Sequence, residues 1–492
     1  MNMATALLLL PELTLGLGAV LVLLADAIGS ERRARGVETT ISLVAITCAA
    51  LATGALWGTT ATALSGMLAV DPLAVYMKLI ACASGFLVLL ACRPYIDSLS
   101  LRGGEFHFLV LLAVLAMMLA TAANDLISLY LAFEFLSLTS YVLVAYLRGR
   151  RISLEAGIKY FLYGAVTSAF MLYGMSLLYG ATGTTNIESI AQKLRLATYA
   201  QQWFVVPLAI LLLAGFSFKV AIAPFHQWAP DAYEGGPTPI VALLSVASKA
   251  TGFGVLMRVM VVAMGDLQPT WARVLGAFAI VSMVLGNLVA VQQSDIKRML
   301  AYSGIGHAGY IMIGVVTFAL GQGQFGGLSA ALLYLVAYLF TNVGAFLAIQ
   351  VVENAVGSTA IKSYAGLVHR SPLLAGMLAY FLFSLTGIPL TGGMWAKLAV
   401  FGSAMRAGSF GLTLALIGIA TSVVAAYYYL NVVRQMFVVP AAEVGPARLQ
   451  VPVAVTFALG LAAAATLLIG IFPQPLMSLA TLSASMMGAL LY

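Results

Sequence analysis

The chain has 492 residues, 62% of them hydrophobic and only 8% charged, with a mean hydropathy of +1.02 and a formal net charge of +7. Soluble domains carry about 25% charged residues, and no water-soluble fold could hide this much apolar surface. The composition therefore excludes a soluble enzyme and points to an all-α polytopic membrane protein.

Apolar runs near the ~20 residues needed to cross a bilayer predict fourteen helices, over 5–27, 38–58, 71–92, 106–122, 124–147, 152–180, 203–236, 237–261, 271–292, 296–320, 326–351, 372–405, 409–438 and 451–472. The first run is too long for a signal-peptide core. A basic loop rather than a small-residue cleavage site follows it, so it reads as a retained helix. Cys48, Cys82 and Cys92 fall in or at the ends of predicted helices, with no CxxC and no Cys/His cluster, so neither zinc nor iron–sulfur ligation is indicated.

The basic residues follow membrane topology. With the N-terminus outside, the inner loops collect fourteen Lys and Arg, Arg150, Lys297 and Arg298 among them. The outer loops collect five, namely Lys193, Arg195, Arg258, Arg273 and Arg406. This asymmetry fits the positive-inside rule, places both termini outside, and accounts for the positive charge without nucleic acid.

Five lysines fall inside predicted spans: Lys78, Lys159, Lys219, Lys249 and Lys397. Glu134 and His307 do too. Glu134, Lys249 and His307 lie ten to twelve residues into their spans, so ~15–18 Å deep at 1.5 Å per residue. A charge near the middle of a ~30 Å core costs ~2.5–3.5 kcal/mol on the insertion scale and marks an ion path by default. A lysine in a dry site loses the hydration of its ammonium and becomes able to take up and release a proton. Glu134 and Lys159, on consecutive helices, are expected to pair. Lys219 stands five residues before Pro224, where a freed carbonyl could hold its ammonium. Lys249 has no room to reach water. His307 could bridge the two halves, since an unperturbed imidazole titrates near neutrality. His226 sits in the first helix interruption. Lys78, seven residues into its span, is expected to snorkel, and Asp71 and Glu12 to be interfacial.

Two spans, 203–236 and 372–405, are too long to be straight. The first is broken at Pro224 and the following HQWAPDAYEGG, the second at GIPLTGG, 387–393. Aligned on Pro224 and Pro389, Ala214, Phe216 and Phe218 match Ala379, Phe381 and Phe383. Tyr160 and Thr167 match Tyr334 and Thr341 in the helices before. The chain thus divides into three leading helices (1–105), a five-helix unit (106–261), a second five-helix unit (262–438) and a C-terminal helix and tail (439–492). An odd number of helices per unit inverts the second, an arrangement found in many transporters. There is no Walker A motif, no GxGxxG after a strand and no metal-ligand cluster, so the chain is expected to bind no NAD, flavin, iron–sulfur cluster or metal.

The strings LAFEFLSLTSYVL, FKVAIAPFHQWAPDAYEG and FSLTGIPLTGGMWAKL, with the series Glu134, Lys159, Lys219, Lys249, His307 and Lys397, resemble the antiporter-like subunits of respiratory complex I over essentially the whole chain. Lysine at 397 after PLTGG, and an end soon after the fourteenth helix, favour the N-type branch over the M and L types. The resemblance implies a proton-translocating membrane-arm subunit of NADH:quinone oxidoreductase in a bacterial inner membrane, with M-type and K-type neighbours. NADH, FMN, iron–sulfur clusters and quinone would be handled by other subunits. It assigns Glu134 and Lys159 to a charge pair, Lys219 and Lys249 to a central relay, and Lys397 to the far end. Two other readings stand beside it: a subunit of a multisubunit cation/proton antiporter without redox chemistry, and a scaffold whose buried charges only hold the bundle together.

Overall fold

A computed structural model describes residues 3–28, 31–99, 102–195, 199–321, 326–440 and 448–489. It opens with a short α1 (Met3–Leu8), then α2 (Leu10–Ile28) and α3 (Glu31–Ala55). The loop after α3 carries a two-stranded antiparallel hairpin, β1 (Ala61–Ala63) with β2 (Leu68–Val70), the one departure from an all-helical chain among the described residues. Next come α4 (Pro72–Ser98), α5 (Gly104–Ala122), α6 (Leu126–Val144), α7 (Arg151–Thr182) and a short amphipathic α8 (Ile187–Arg195).

The expected span 203–236 is interrupted as its prolines and glycines demand. α9 (Tyr199–Val220) gives way to a turn in which Ala221 has φ +58°, and the chain resumes as α10 (Trp228–Gly235). The following span runs through α11 (Thr238–Leu243), a π-helical turn (Leu244–Ser248), α12 (Lys249–Met257) and a second π-helical turn (Arg258–Ala263). π turns widen a helix locally and recur at functional positions.

The second half contains α13 (Gln268–Val291), α14 (Ile296–Leu320), α15 (Gly326–Val356), a short α16 (Leu367–Arg370) and α17 (Pro372–Thr386). α18 (Gly392–Met405), α19 (Gly408–Phe437) and α20 (Val453–Ile471) follow, and the tail forms α21 (Gln474–Ala489). The break between α17 and α18 is a glycine device. Gly387 has φ +96°, and a Cβ at Gly393 would lie 1.8 Å from the Ser384 carbonyl oxygen, so only glycine lets the two half-helices pass this closely. Twelve helices among the described residues are long and apolar enough to cross a membrane. The two remaining expected crossings are the broken ones, whose apolar first halves, Pro207–Val220 and Pro372–Thr386, are shorter.

One construction occurs twice. Asp125 caps α6, accepting from the Ile127 amide (2.8 Å) and from the Thr185 hydroxyl (2.5 Å) beyond the far end of α7. Asp295 caps α14, accepting from the Arg298 amide (2.9 Å) and from the Thr359 hydroxyl beyond α15. Each capped start is also laced by backbone bonds to the segment after the next helix, through Leu126 to Thr185 and Ile296 to Thr359. Both caps satisfy amides at a helix start, where no intrahelical acceptor exists.

The helices differ in what surrounds them. α4, the α11–α12 segment, α14 and α15 are enclosed by other helices, whereas α2, α7, α19 and α20 present most of one face outward. Exposed Leu, Ile, Val and Phe on those faces suit contact with lipid tails or with other membrane helices.

Candidate functional site

Polar side chains run from α6 across the enclosed helices to α18. Glu134 on α6 is part-exposed on the flank of the chain and accepts a short hydrogen bond from the Ser168 hydroxyl on α7. One turn further along α6, Ser137 Oγ accepts from Lys219 Nζ at 2.9 Å, and the ammonium lies 5.7 Å from the Phe133 ring centroid. Phe133 and Ser137 thus bring α6 to the end of α9 just before its break. The freed carbonyl expected to hold Lys219 is not its partner; a hydroxyl from the neighbouring helix is.

Lys249 is the first residue of α12, between the two π turns, and only 2% exposed. Its Nζ donates to the Gly304 carbonyl of α14 at 2.5 Å and lies 5.6 Å from the Tyr338 ring centroid. One turn along α14, His307 sits between two phenols, its Nδ1 at 2.7 Å from the Tyr334 hydroxyl and its Nε2 at 3.1 Å from that of Tyr429. The Tyr429 hydroxyl shares a short hydrogen bond with Ser303. Lys397 on α18 donates to the Thr386 carbonyl (2.8 Å), which the second break leaves without a helical partner, and to Ser422 Oγ (2.5 Å). Its ammonium lies 5.4 Å from the Tyr310 ring centroid. Tyr310 in turn accepts from Asn287 (3.0 Å) and bonds to Thr421 (3.1 Å). All three lysines therefore rest near an aromatic face, which attracts a cation without offering it a proton. Each has one or two hydrogen-bond acceptors where an ammonium can use three.

A family model described as NADH:quinone oxidoreductase/Mrp antiporter, transmembrane, matches residues 123–424. The chain belongs to this family. It is 40% identical to NADH-quinone oxidoreductase subunit N 2 of Roseiflexus castenholzii, over 95% of this chain and 94% of that one. It superposes on a chain of respiratory complex I from Thermus thermophilus, solved with bound aureothin, with a TM-score of 0.79 and 31% identity over 96% of this chain and 99% of that one. A chain of the Mrp complex from Dietzia has the same fold, with a TM-score of 0.87 at 21% identity over the whole of both chains.

Against that family background, several expected placements change. Lys159 does not pair with Glu134. It is 42% exposed and bonds to Glu155 (2.9 Å) and Asp231 (3.0 Å). The α7 residue that meets Glu134 is Ser168, nine positions beyond Lys159 and so ~13 Å further along the helix. Consecutive helices are neighbours, but sequence order does not set which levels meet. Lys78 does not snorkel: it is 1% exposed and pairs with Glu12 at 2.6 Å, so Glu12 is buried rather than interfacial. The reason is enclosure, since α3, α5, α15 and α21 surround α4. Asp71 caps α4 and holds Arg258 bidentately at 2.7 and 2.9 Å. Arg258, counted above as an outer-loop charge, is buried. His226 lies in the turn between α9 and α10, part-buried, with Nδ1 lacking a protein partner. Among the described residues no three or more His, Cys, Asp or Glu side chains converge as a metal site would need.

A charged cluster escaped the sequence reading. Asp231 on α10 accepts from Lys159 of α7 and, at 2.7 Å, from Arg298 of α14, which also reaches Glu234 at 2.8 Å. Beside it, Lys297 is 3% exposed, donates to the Gly236 carbonyl at 3.0 Å and lies 3.8 Å from Glu353 of α15. Lys297 and Arg298 look like ordinary topology charges in a short loop. The signal that could have singled them out is their place two and three residues after the capping Asp295, inside the first turn of α14.

Proposed function

We infer that this chain is a proton-translocating membrane-arm subunit of NADH:quinone oxidoreductase, the N-type member, in a bacterial inner membrane. Protons move along buried Lys, Glu and His, driven by electron transfer from NADH to quinone in other subunits. The observation that carries the reading is the file itself. Lys219, Lys249, His307 and Lys397 are sealed among helices with few acceptors each, in a chain whose full-length relatives bear the subunit N name. NADH, FMN, iron–sulfur clusters and quinone belong to partner subunits.

In this reading Glu134 loads Lys219 from the flank, Lys219 passes its proton towards Lys249, and His307 with its phenols links Lys249 to Lys397. Lys159 acts from the side, through Asp231. The repeated capping construction at Asp125 and Asp295 supports two inverted five-helix units, over 106–261 and 262–438. The loop charges favour both termini outside, and the part-exposed Glu134 marks the flank where a neighbouring membrane-arm subunit of the K type would dock, with an M-type subunit on the opposite side.

The test is Lys249→Ala in the intact complex. Proton translocation coupled to NADH oxidation in membrane vesicles should fall while complex content on a native gel stays near wild type. Normal pumping at normal content would remove Lys249 from the path. The Mrp-like fold favours one rival, a subunit of a cation/proton antiporter. Purification in mild detergent separates the two: flavin and iron–sulfur subunits should come down with this chain, and recovery with antiporter subunits alone would favour the rival.

A further inference from the structure

Lys249 has no described contact with either aqueous face, yet a pumping stroke must draw its proton from one of them. A second buried polar path converges on it. At one end, Lys297, Glu353 and Thr238 form a cluster where α10 hands over to α11. Thr238 donates a short hydrogen bond to Glu353 Oε2 and lies 3.3 Å from Lys297 Nζ. Arg150, half-exposed in the α6–α7 loop, stands 3.8 Å from Glu353 Oε1, so the cluster lies just beneath the surface. Its other titratable neighbours are Tyr95 of α4 and Tyr364, both of which feel the charge of Glu353.

From this mouth, polar groups on α15 step towards the centre, Gln350 donating to the Ala91 carbonyl of α4 at 2.8 Å. Gln350, Asn342, Tyr338 and Tyr334 follow Glu353 at helical spacing, spanning about 28 Å at 1.5 Å per residue. The facing helix supplies Thr238, Ser245 and Ser248, and ends at Lys249 itself. Asn342 Nδ2 donates to Ser245 Oγ at 2.8 Å and ties the two helices together. Gln350 Oε1, Asn342 Oδ1, Ser248 Oγ and the Tyr338 hydroxyl are all buried without a protein hydrogen-bond partner. Unpaired buried polar atoms are rare, and where several occur together bridging water is the usual partner. The Tyr338 hydroxyl and Lys249 Nζ converge on Gly304, 3.2 and 3.1 Å from where its Cβ would be. At the same spacing Phe346, also buried, falls between Gln350 and Asn342 on α15.

We propose that this seam is a separate proton inlet to Lys249, with Glu353 as the proton-accepting group at its mouth and water bridging the orphaned atoms of α15 and the first π turn. The Glu353 carboxylate takes a proton from water of the adjoining aqueous phase and passes it into the water file. The neutral amine of Lys249 accepts a proton at the other end, becoming ammonium, and Glu353 is again a carboxylate. Lys297 and Arg150 hold the carboxylate in place. Phe346 keeps the file narrow, so the mouth and the centre are not openly joined. The proposal rests on the relay reading of Lys249, and the face involved is the inner one in the orientation inferred above.

The test uses the intact complex in inverted membrane vesicles, whose inner face is turned to the medium and whose medium pH can be varied. Glu353→Gln should assemble, lower the protons moved per NADH oxidised, and flatten the dependence of pumping on medium pH. Glu353→Asp should restore both, which a purely structural role for the carboxylate would not predict for the pH profile. Wild-type pumping with a wild-type pH profile in Glu353→Gln would overturn the inlet. If Glu353→Gln fails to assemble, Asn342→Leu, which leaves the charges at the mouth intact, decides: reduced pumping supports the seam and normal pumping overturns it. Lys249→Ala is run beside them. If it stops this chain's share of pumping while both seam variants pump normally, only the inlet is wrong. If it too pumps normally, the relay reading fails and the inlet with it.

Discussion

The two helix breaks solve the same problem by different chemistry. The first, between α9 and α10, is followed by a short helix bearing Asp231 and Glu234, which ion pairs tie to α7 and α14. The second, between α17 and α18, carries no charge within 387–393 and depends on glycine. Lys219 precedes its break and takes a hydroxyl from a neighbouring helix. Lys397 follows its break and takes the carbonyl that the break releases. A discontinuous helix therefore does not in itself create the lysine site. It creates free backbone groups, and the side of the break on which the lysine falls decides whether they serve it.

The strongest way to break this comparison is to swap the cation. Lys219→Arg and Lys397→Arg keep the charge but cannot release a proton at physiological pH. Both should pump as poorly as Lys249→Ala in NADH-driven vesicle assays, despite normal complex content. Pumping retained by either arginine variant would mean that lysine supplies only a fixed charge there.

Next comes the glycine break. Gly393→Ala drives a methyl group into the Ser384 carbonyl and should sharply lower the amount of assembled complex on a native gel. Gly387→Ala forces a left-handed backbone on a side-chain residue, at a cost of about 1–2 kcal/mol, and should lower the melting temperature while permitting assembly. The first break has no such glycine dependence: its positive-φ residue is Ala221.

Asp231→Asn probes the charged side of the comparison. Part-exposed ion pairs are worth only ~0–1 kcal/mol each, so assembly should survive. Pumping should fall by less than in the lysine variants, because Lys159 loses one of its two acidic partners and keeps Glu155. A loss as deep as that of Lys219→Arg would promote Asp231 from a side partner to a member of the path.

The smallest expected effects belong to the hydroxyl partners. Ser137→Ala and Ser422→Ala each remove one hydrogen bond to an ammonium and leave the lysine itself in place. Ser422→Ala should be the milder of the two in the same assay, because Lys397 retains the Thr386 carbonyl whereas Lys219 has no second hydrogen-bond acceptor among the described residues.

How much was legible in advance depended on the kind of information. Hydropathy alone located the spans, because ~20 apolar residues in a row have one use in a chain of this composition. Proline and glycine marked both interruptions, because each acts on its own backbone. Lysines inside apolar runs stood out for the same local reason, and the family followed from the strings around them. What the sequence could not assign was partnership. Lys159 meets Asp231 and not Glu134, Lys78 meets Glu12 and not water, and Lys297 is buried beside Glu353 although it reads as a loop charge. Each pairing depends on the relative height and rotation of helices far apart in the chain, which packing sets and periodicity does not. A sequence states which residues are costly to bury; only the assembled bundle decides which of them meet.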